Sequence, residues 1–126
     1  LGQLLSDADV EIRRRAALGL DELAQATDET IFRLATATHD ESELVRASAT
    51  QALWSATADP DLVTPAAVRG LTAEDREARM QAVLVLEEIG KGALPWLSEI
   101  ESLAADDRSH VARAARRALR AIRGDE

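Results

Sequence analysis

The side chains here that could carry acid–base, metal or nucleophilic chemistry are two histidines, 23 carboxylates and scattered serines and threonines, with no cysteine and no tyrosine. Their spacing does not assemble them. His39 and His110 are remote from each other in sequence, and neither belongs to a His-Glu dyad. A two-histidine metal site needs both imidazoles on one face with carboxylates in the same shell. No serine or threonine stands at a defensible nucleophile–base spacing from a histidine, and no Gly-rich phosphate loop is present. Without cysteine there can be no disulfide, thiolate nucleophile or Cys-ligated zinc. The chain therefore reads as a non-enzyme with no cofactor and no metal. Its carboxylates gather in Ser6-Asp7-Ala8-Asp9, Asp40-Glu41-Ser42-Glu43 and Thr72-Ala73-Glu74-Asp75, each just before an apolar stretch. That is where capping oxygens and acids complete a helix N-terminus and complement its dipole.

The elements behind those caps repeat. Segments Asp7 to Leu20, Asp40 to Leu53, Ala73 to Leu86 and Asp106 to Leu119 align without a gap at an offset of 33 residues. One column reads Ile12, Val45, Ala78, Val111, another Ala16, Ala49, Ala82, Ala115, and a third Leu20, Leu53, Leu86, Leu119. Apolar columns at i, i+4, i+8 and i+11 form one stripe of an α-helix. Shorter helical stretches lie between: Thr27 to Thr38, Asp61 to Leu71 and Gly92 to Ala104, with Pro60 and Gly90-Lys91-Gly92 punctuating them. Pro65 and Pro95 are expected in first turns of these stretches, where proline is tolerated. Each period is thus a hairpin of a first (A) and a second (B) helix. Units of about 1–24, 27–57, 60–90 and 92–123 make one domain over 1–126. Leu1 to Leu5 read as the last turn of a truncated A helix, so a fragment of a longer array is expected. The Ala- and Leu-rich, aromatic-poor composition suits close helix packing and suits strands badly. The expected fold is all-α, an α-solenoid (a right-handed superhelix) of antiparallel helical hairpins.

The B-helix pattern Asp-x5-Arg-x2-Ala-x3-Leu resembles HEAT repeats in the short bacterial form of phycobilin-lyase-type proteins. Asp7/Arg13 and Asp40/Arg46 match both marked positions; copy three has Ala73 for the acid and copy four Ala112 for the arginine. The resemblance implies a structural ladder of Asp7, Arg13, Asp40, Arg46, Arg79 and Asp106 between hairpins. Each arginine could meet the acid of the preceding or of the following copy. The preceding arrangement, Arg46–Asp7 and Arg79–Asp40, leaves both degenerate positions without a partner to lose, so it is the expectation.

The resemblance also implies that B helices line a concave face. Residues off the core stripe there fall into the columns Arg14, Ala47, Met80, Arg113; Leu18, Gln51, Leu84, Arg117; and Asp21, Trp54, Glu87, Arg120. Trp54 among Leu18, Met80 and Leu84, rimmed by Arg14, Gln51, Glu87 and Arg117, has the composition of a protein-binding hot spot. Alternatively Trp54 turns into the core between repeats. Trp96 is expected to pack over a hairpin end. The last B helix carries Arg108, Arg113, Arg116, Arg117, Arg120 and Arg123 with no acid between the first and last of them. That is a polar cap for a repeat array, or a basic patch for an acidic partner or for self-association with another copy.

A formal net charge of −8 argues against a general nucleic-acid binder. No apolar run spans a membrane and no leader is evident, so a cytoplasmic protein is expected. The functional expectation is a non-catalytic scaffold that binds a protein partner through its concave B-helix face. Two alternatives stand beside it: an accessory or catalytic subunit of a lyase-type system, implied by the resemblance alone, and a nucleic-acid-binding module using the Arg-rich last helix.

Overall fold

The computed structural model describes residues 10, 13, 14 and 27–124. Its elements run α1 (Asp28–Ala37), α2 (Glu43–Thr57), α3 (Pro60–Gly70), α4 (Arg76–Ile89), a 3₁₀ segment (Gly90–Trp96), α5 (Leu97–Ala104) and α6 (Ser109–Arg123). Among the described residues there is no strand. α1 packs on α2, α3 on α4 and α5 on α6, and the B helices α2, α4 and α6 pack on one another in sequence. The chain is an all-α solenoid of stacked hairpins.

Local chemistry starts and stops these helices. Thr27, Ser42, Asp59 and Asp75 each accept a backbone N–H of the following turn through their side chains, which satisfies donors the helix leaves open. α6 is different. Its N-cap is Arg108, whose side chain makes no cap bond, while Asp106 accepts the Arg108 backbone N–H at 2.8 Å. α2 ends at Ala58, a non-glycine residue at φ 48°, and α6 at Gly124, φ 79°. These two positions are in register in the repeat. α4 ends earlier, at Gly90 with φ 55°, and the Gly- and Pro-containing stretch that follows winds as 3₁₀ before α5 begins.

Both expectations about proline are corrected, and Pro95 lies inside the 3₁₀ segment that precedes α5. α3 begins at Pro60 with Asp59 as its cap, so Pro65 lies inside the helix and not in its first turn. The start one residue upstream of the expected stretch comes from the Asp59 cap bond to the Asp61 N–H (3.0 Å) and from Pro60 at a position that has no hydrogen bond to lose.

The core follows the repeat columns. Leu34, Val45, Ala49, Leu53, Val63, Leu71, Leu86, Ile100, Val111, Ala115, Ala118 and Ile122 are all essentially inaccessible. Small residues on the stripe bring helices close. A Cβ placed on Gly70 of α3 would lie 2.7 Å from the Cβ of Ala82 in α4. Trp96 is half-buried against this core. Phe32 of α1, by contrast, is 72% exposed, so it adds nothing to the stripe formed by its neighbours.

Candidate functional site

The charged columns come first, because they decide which arginines are free. The expected pairing of Arg79 with Asp40 does not form. Asp40 is taken by the arginine of the preceding copy: Arg13 Nε and Nη2 donate to its two carboxylate oxygens at 2.8 and 3.1 Å. Arg13 is buried and Asp40 half-buried, so this fork joins two repeats with little access to water. Arg79 Nη1 instead donates to the backbone carbonyls of Ala73 and Glu74, both at 2.8 Å. Arg46 does the same in its own copy, with Nη1 2.6 Å from the Asp40 carbonyl oxygen, and its guanidinium lies 3.8 Å from Glu43.

The reason is directional. Side chains on a helix lean toward its N-terminus, so an arginine on the fourth residue of a B helix reaches back over the loop that precedes it. It meets loop carbonyls there, and Ala73 serves as well as an aspartate. The acids have their own local work. Asp40 accepts the Ser42 N–H at 2.8 Å, in the same way that Asp106 accepts that of Arg108. The Arg108 guanidinium, hydrogen-bonded to Asp106, and then the Arg108 backbone N–H hold the Asp106 carboxyl below its ordinary value. A lowered acid pKa stabilises the fold above the unfolded value, and that contribution is lost as pH falls through the folded one. A cross-repeat tie not read from the sequence is made by Glu43, whose carboxylate accepts the backbone N–H groups of Glu74 and Asp75 at 2.8 and 2.9 Å. Asp7 lies outside the described residues.

The B-helix face is built from what remains. Arg14 is bonded to Glu77, two repeats along. Met80 and Leu84 are 39% and 47% exposed. Trp54 is half-buried against the core, so its ring belongs partly to the packing between repeats. Gln51 is half-buried. Leu18 lies outside the described residues. Arg117 joins two of the expected residues directly, with Nη2 3.0 Å from Glu87 and Nη1 3.3 Å from the Met80 sulfur.

Between α4 and α6 this face opens into a cleft of about 320 Å³. One wall carries Arg76, Arg79, Met80 and Val83, and the other His110, Arg113, Ala114 and Arg117, with Arg120 beyond. Each wall is an i, i+3, i+4, i+7 row, the ridge a helix presents to its neighbour. Met80, Arg113, Arg117 and Arg120 were readable as members of the face columns. Arg76, Arg79, Val83, His110 and Ala114 were not placed there, because reading by column compares equivalent positions and misses the row on the adjacent helix that faces them. Superposing the two i, i+3, i+4, i+7 rows in sequence would have brought them together. Among the described residues no carboxylate, serine or threonine lines the cleft. Among the described residues no group of His, Cys, Asp or Glu could hold a metal ion, and no helix is long and apolar enough to cross a membrane.

Compared with curated proteins, the chain matches none. The family model for HEAT repeats matches residues 31–120, which takes in α2 to α5 whole and most of α1 and α6. With its stacked hairpins and its 33-residue period, the chain belongs to the HEAT repeat family.

Proposed function

We propose that this chain is a non-catalytic scaffold that binds a protein partner on the B-helix face of α2, α4 and α6. HEAT repeats are generally protein-interaction modules. The observation that carries the reading here is the exposure of Met80 and Leu84 on α4, beside the half-buried Trp54. Two large apolar side chains on one exposed helix face, with Arg117 and Glu87 at their edge, fit the apolar centre and polar rim of a binding surface. The cleft beside them holds guanidinium groups and one imidazole but no nucleophile and no carboxylate to act with it, which favours recognition over reaction.

The test is capture of interacting proteins from the source cell by the wild-type chain and by Met80→Ala plus Leu84→Ala, with cross-links mapped by mass spectrometry. These exposed positions are preferred to Trp54, whose ring also packs on the core. A specific partner cross-linked to α2, α4 or α6 and lost from the double variant is the expected result. Equal recovery, or cross-links confined to α1, α3 and α5, would reject this face.

A further inference from the structure

We infer that the cleft between α4 and α6 binds a peptide segment of the partner that carries carboxylates beside an apolar side chain. The inference rests on the scaffold reading and supplies the chemistry of what it captures. The chain as a whole is acidic, at −8, yet five guanidinium groups and His110 surround this one opening. Two of the five are occupied: Arg79 closes its own loop, and Arg117 is held by Glu87 and Met80. Arg76, Arg113 and Arg120 are exposed and have no hydrogen-bond or ion-pair partner among the described residues. Like charges gathered without counter-charges repel one another, and an arriving anion relieves that repulsion while it forms its own bonds. Arginine forks match carboxylates in a bidentate geometry.

Two features narrow the anion to a peptide. The wall between the arginines is apolar, made by Met80, Val83 and Ala114, and Leu84 continues it on the exposed side of α4. A carboxylate-bearing segment with an aliphatic residue satisfies both surfaces at once. A single-stranded nucleic acid fits less well, since among the described residues no Phe, Tyr or Trp lines the cleft for bases to stack on, and the acidic remainder of the molecule repels a long polyanion.

The probes are a fluorescein-labelled peptide of repeated Glu-Glu-Leu, the same peptide with Lys for Glu, and a single-stranded oligothymidylate. Each is titrated by fluorescence anisotropy against the wild-type chain, Arg113→Glu plus Arg120→Glu, and the milder Arg113→Gln plus Arg120→Gln. Circular dichroism checks that both variants stay helical, and the glutamine pair carries the test if charge reversal impairs folding. The expected result is binding of the acidic peptide alone, weakened at least about tenfold by the glutamine pair and abolished by charge reversal, since charge-assisted bidentate bonds are lost. Equal affinity for the acidic and basic peptides, tighter binding of oligothymidylate, or no effect of either variant would overturn the inference. So would a dimer of the wild-type chain in sedimentation that the charge reversal dissolves, because a second copy would then be the occupant. A partner lost from Met80→Ala plus Leu84→Ala but retained by both arginine variants would leave the scaffold standing and remove the acidic segment.

Discussion

A guanidinium near the start of a B helix can reach either a carboxylate of a neighbouring hairpin or the carbonyls of its own loop, and this chain uses both. Arg46 and Arg79 take the carbonyls, while Arg13 takes the Asp40 carboxylate across the repeat boundary. The columns of aspartate and arginine were plain in the sequence, but their partners were not, because a column records which residue types recur and not which atoms they use. Ala73, which the expected side-chain pairing left with no partner to lose, supplies an acceptor through its backbone oxygen. The two surviving described acids should therefore differ in weight. Asp40 holds a buried arginine of another repeat, whereas Asp106 ties only the exposed loop it sits in. Breaking a buried ion pair from one side costs up to about 3–5 kcal/mol, and exposed pairs contribute far less. Asp40→Ala should lower the urea midpoint clearly more than Asp106→Ala does. Equal shifts would show that the cross-repeat fork contributes no more than the loop turn.

At the scale of the element, the helix-period stripes set the hairpins, and the observed helices lie close to the stretches they mark. There are two departures. α3 runs through Pro65, and the third hairpin opens with a 3₁₀ segment from Gly90 to Trp96. The first follows from the upstream start that the Asp59 cap and Pro60 give α3, the second from close packing against the previous hairpin. A Cβ on Gly92 would come within 2.7 Å of the Pro60 ring of the previous hairpin, so the chain is pressed closely there and takes the tighter helix. The α3–α4 crossing makes a sharper case. Gly70 and Ala82 meet so closely that Gly70→Ala places two methyl groups at 2.7 Å. Overpacking of this kind costs about 1–3 kcal/mol, partly offset by the roughly 1 kcal/mol that alanine gains over glycine in a helix. The diagnostic is coupling between the sites. Ala82→Gly should destabilise the wild type, yet cost distinctly less, or even restore stability, in the Gly70→Ala background. A double-mutant cycle in chemical denaturation measures this, and simple additivity would mean that the two residues do not set the crossing.

For the whole molecule, stability is a chain of neighbour contacts, and the consequence of losing a core side chain depends on where in the stack it sits. α4 packs on α2, α3, α6 and the 3₁₀ segment, whereas α5 has its main contacts with α6 and the 3₁₀ segment. Leu86 of α4 and Ile100 of α5 are equally inaccessible, so burial alone predicts the same loss, about 2–5 kcal/mol, on truncation of either to alanine. A solenoid predicts a different distribution of that loss, since each repeat is stabilised by its neighbours and local opening need not involve the whole array. Leu86→Ala should reduce hydrogen-exchange protection on both sides, in α2 and α3 and in α6. Ile100→Ala should release α5 and α6 while α2 and α3 keep most of their protection. Because the proposed acidic-peptide cleft is formed jointly by α4 and α6, both variants should weaken binding of the Glu-Glu-Leu peptide, Ile100→Ala doing so without touching any residue that lines it. Uniform loss of protection in Ile100→Ala would mean that these hairpins unfold as one cooperative unit, and the nearest-neighbour description would fail for this array.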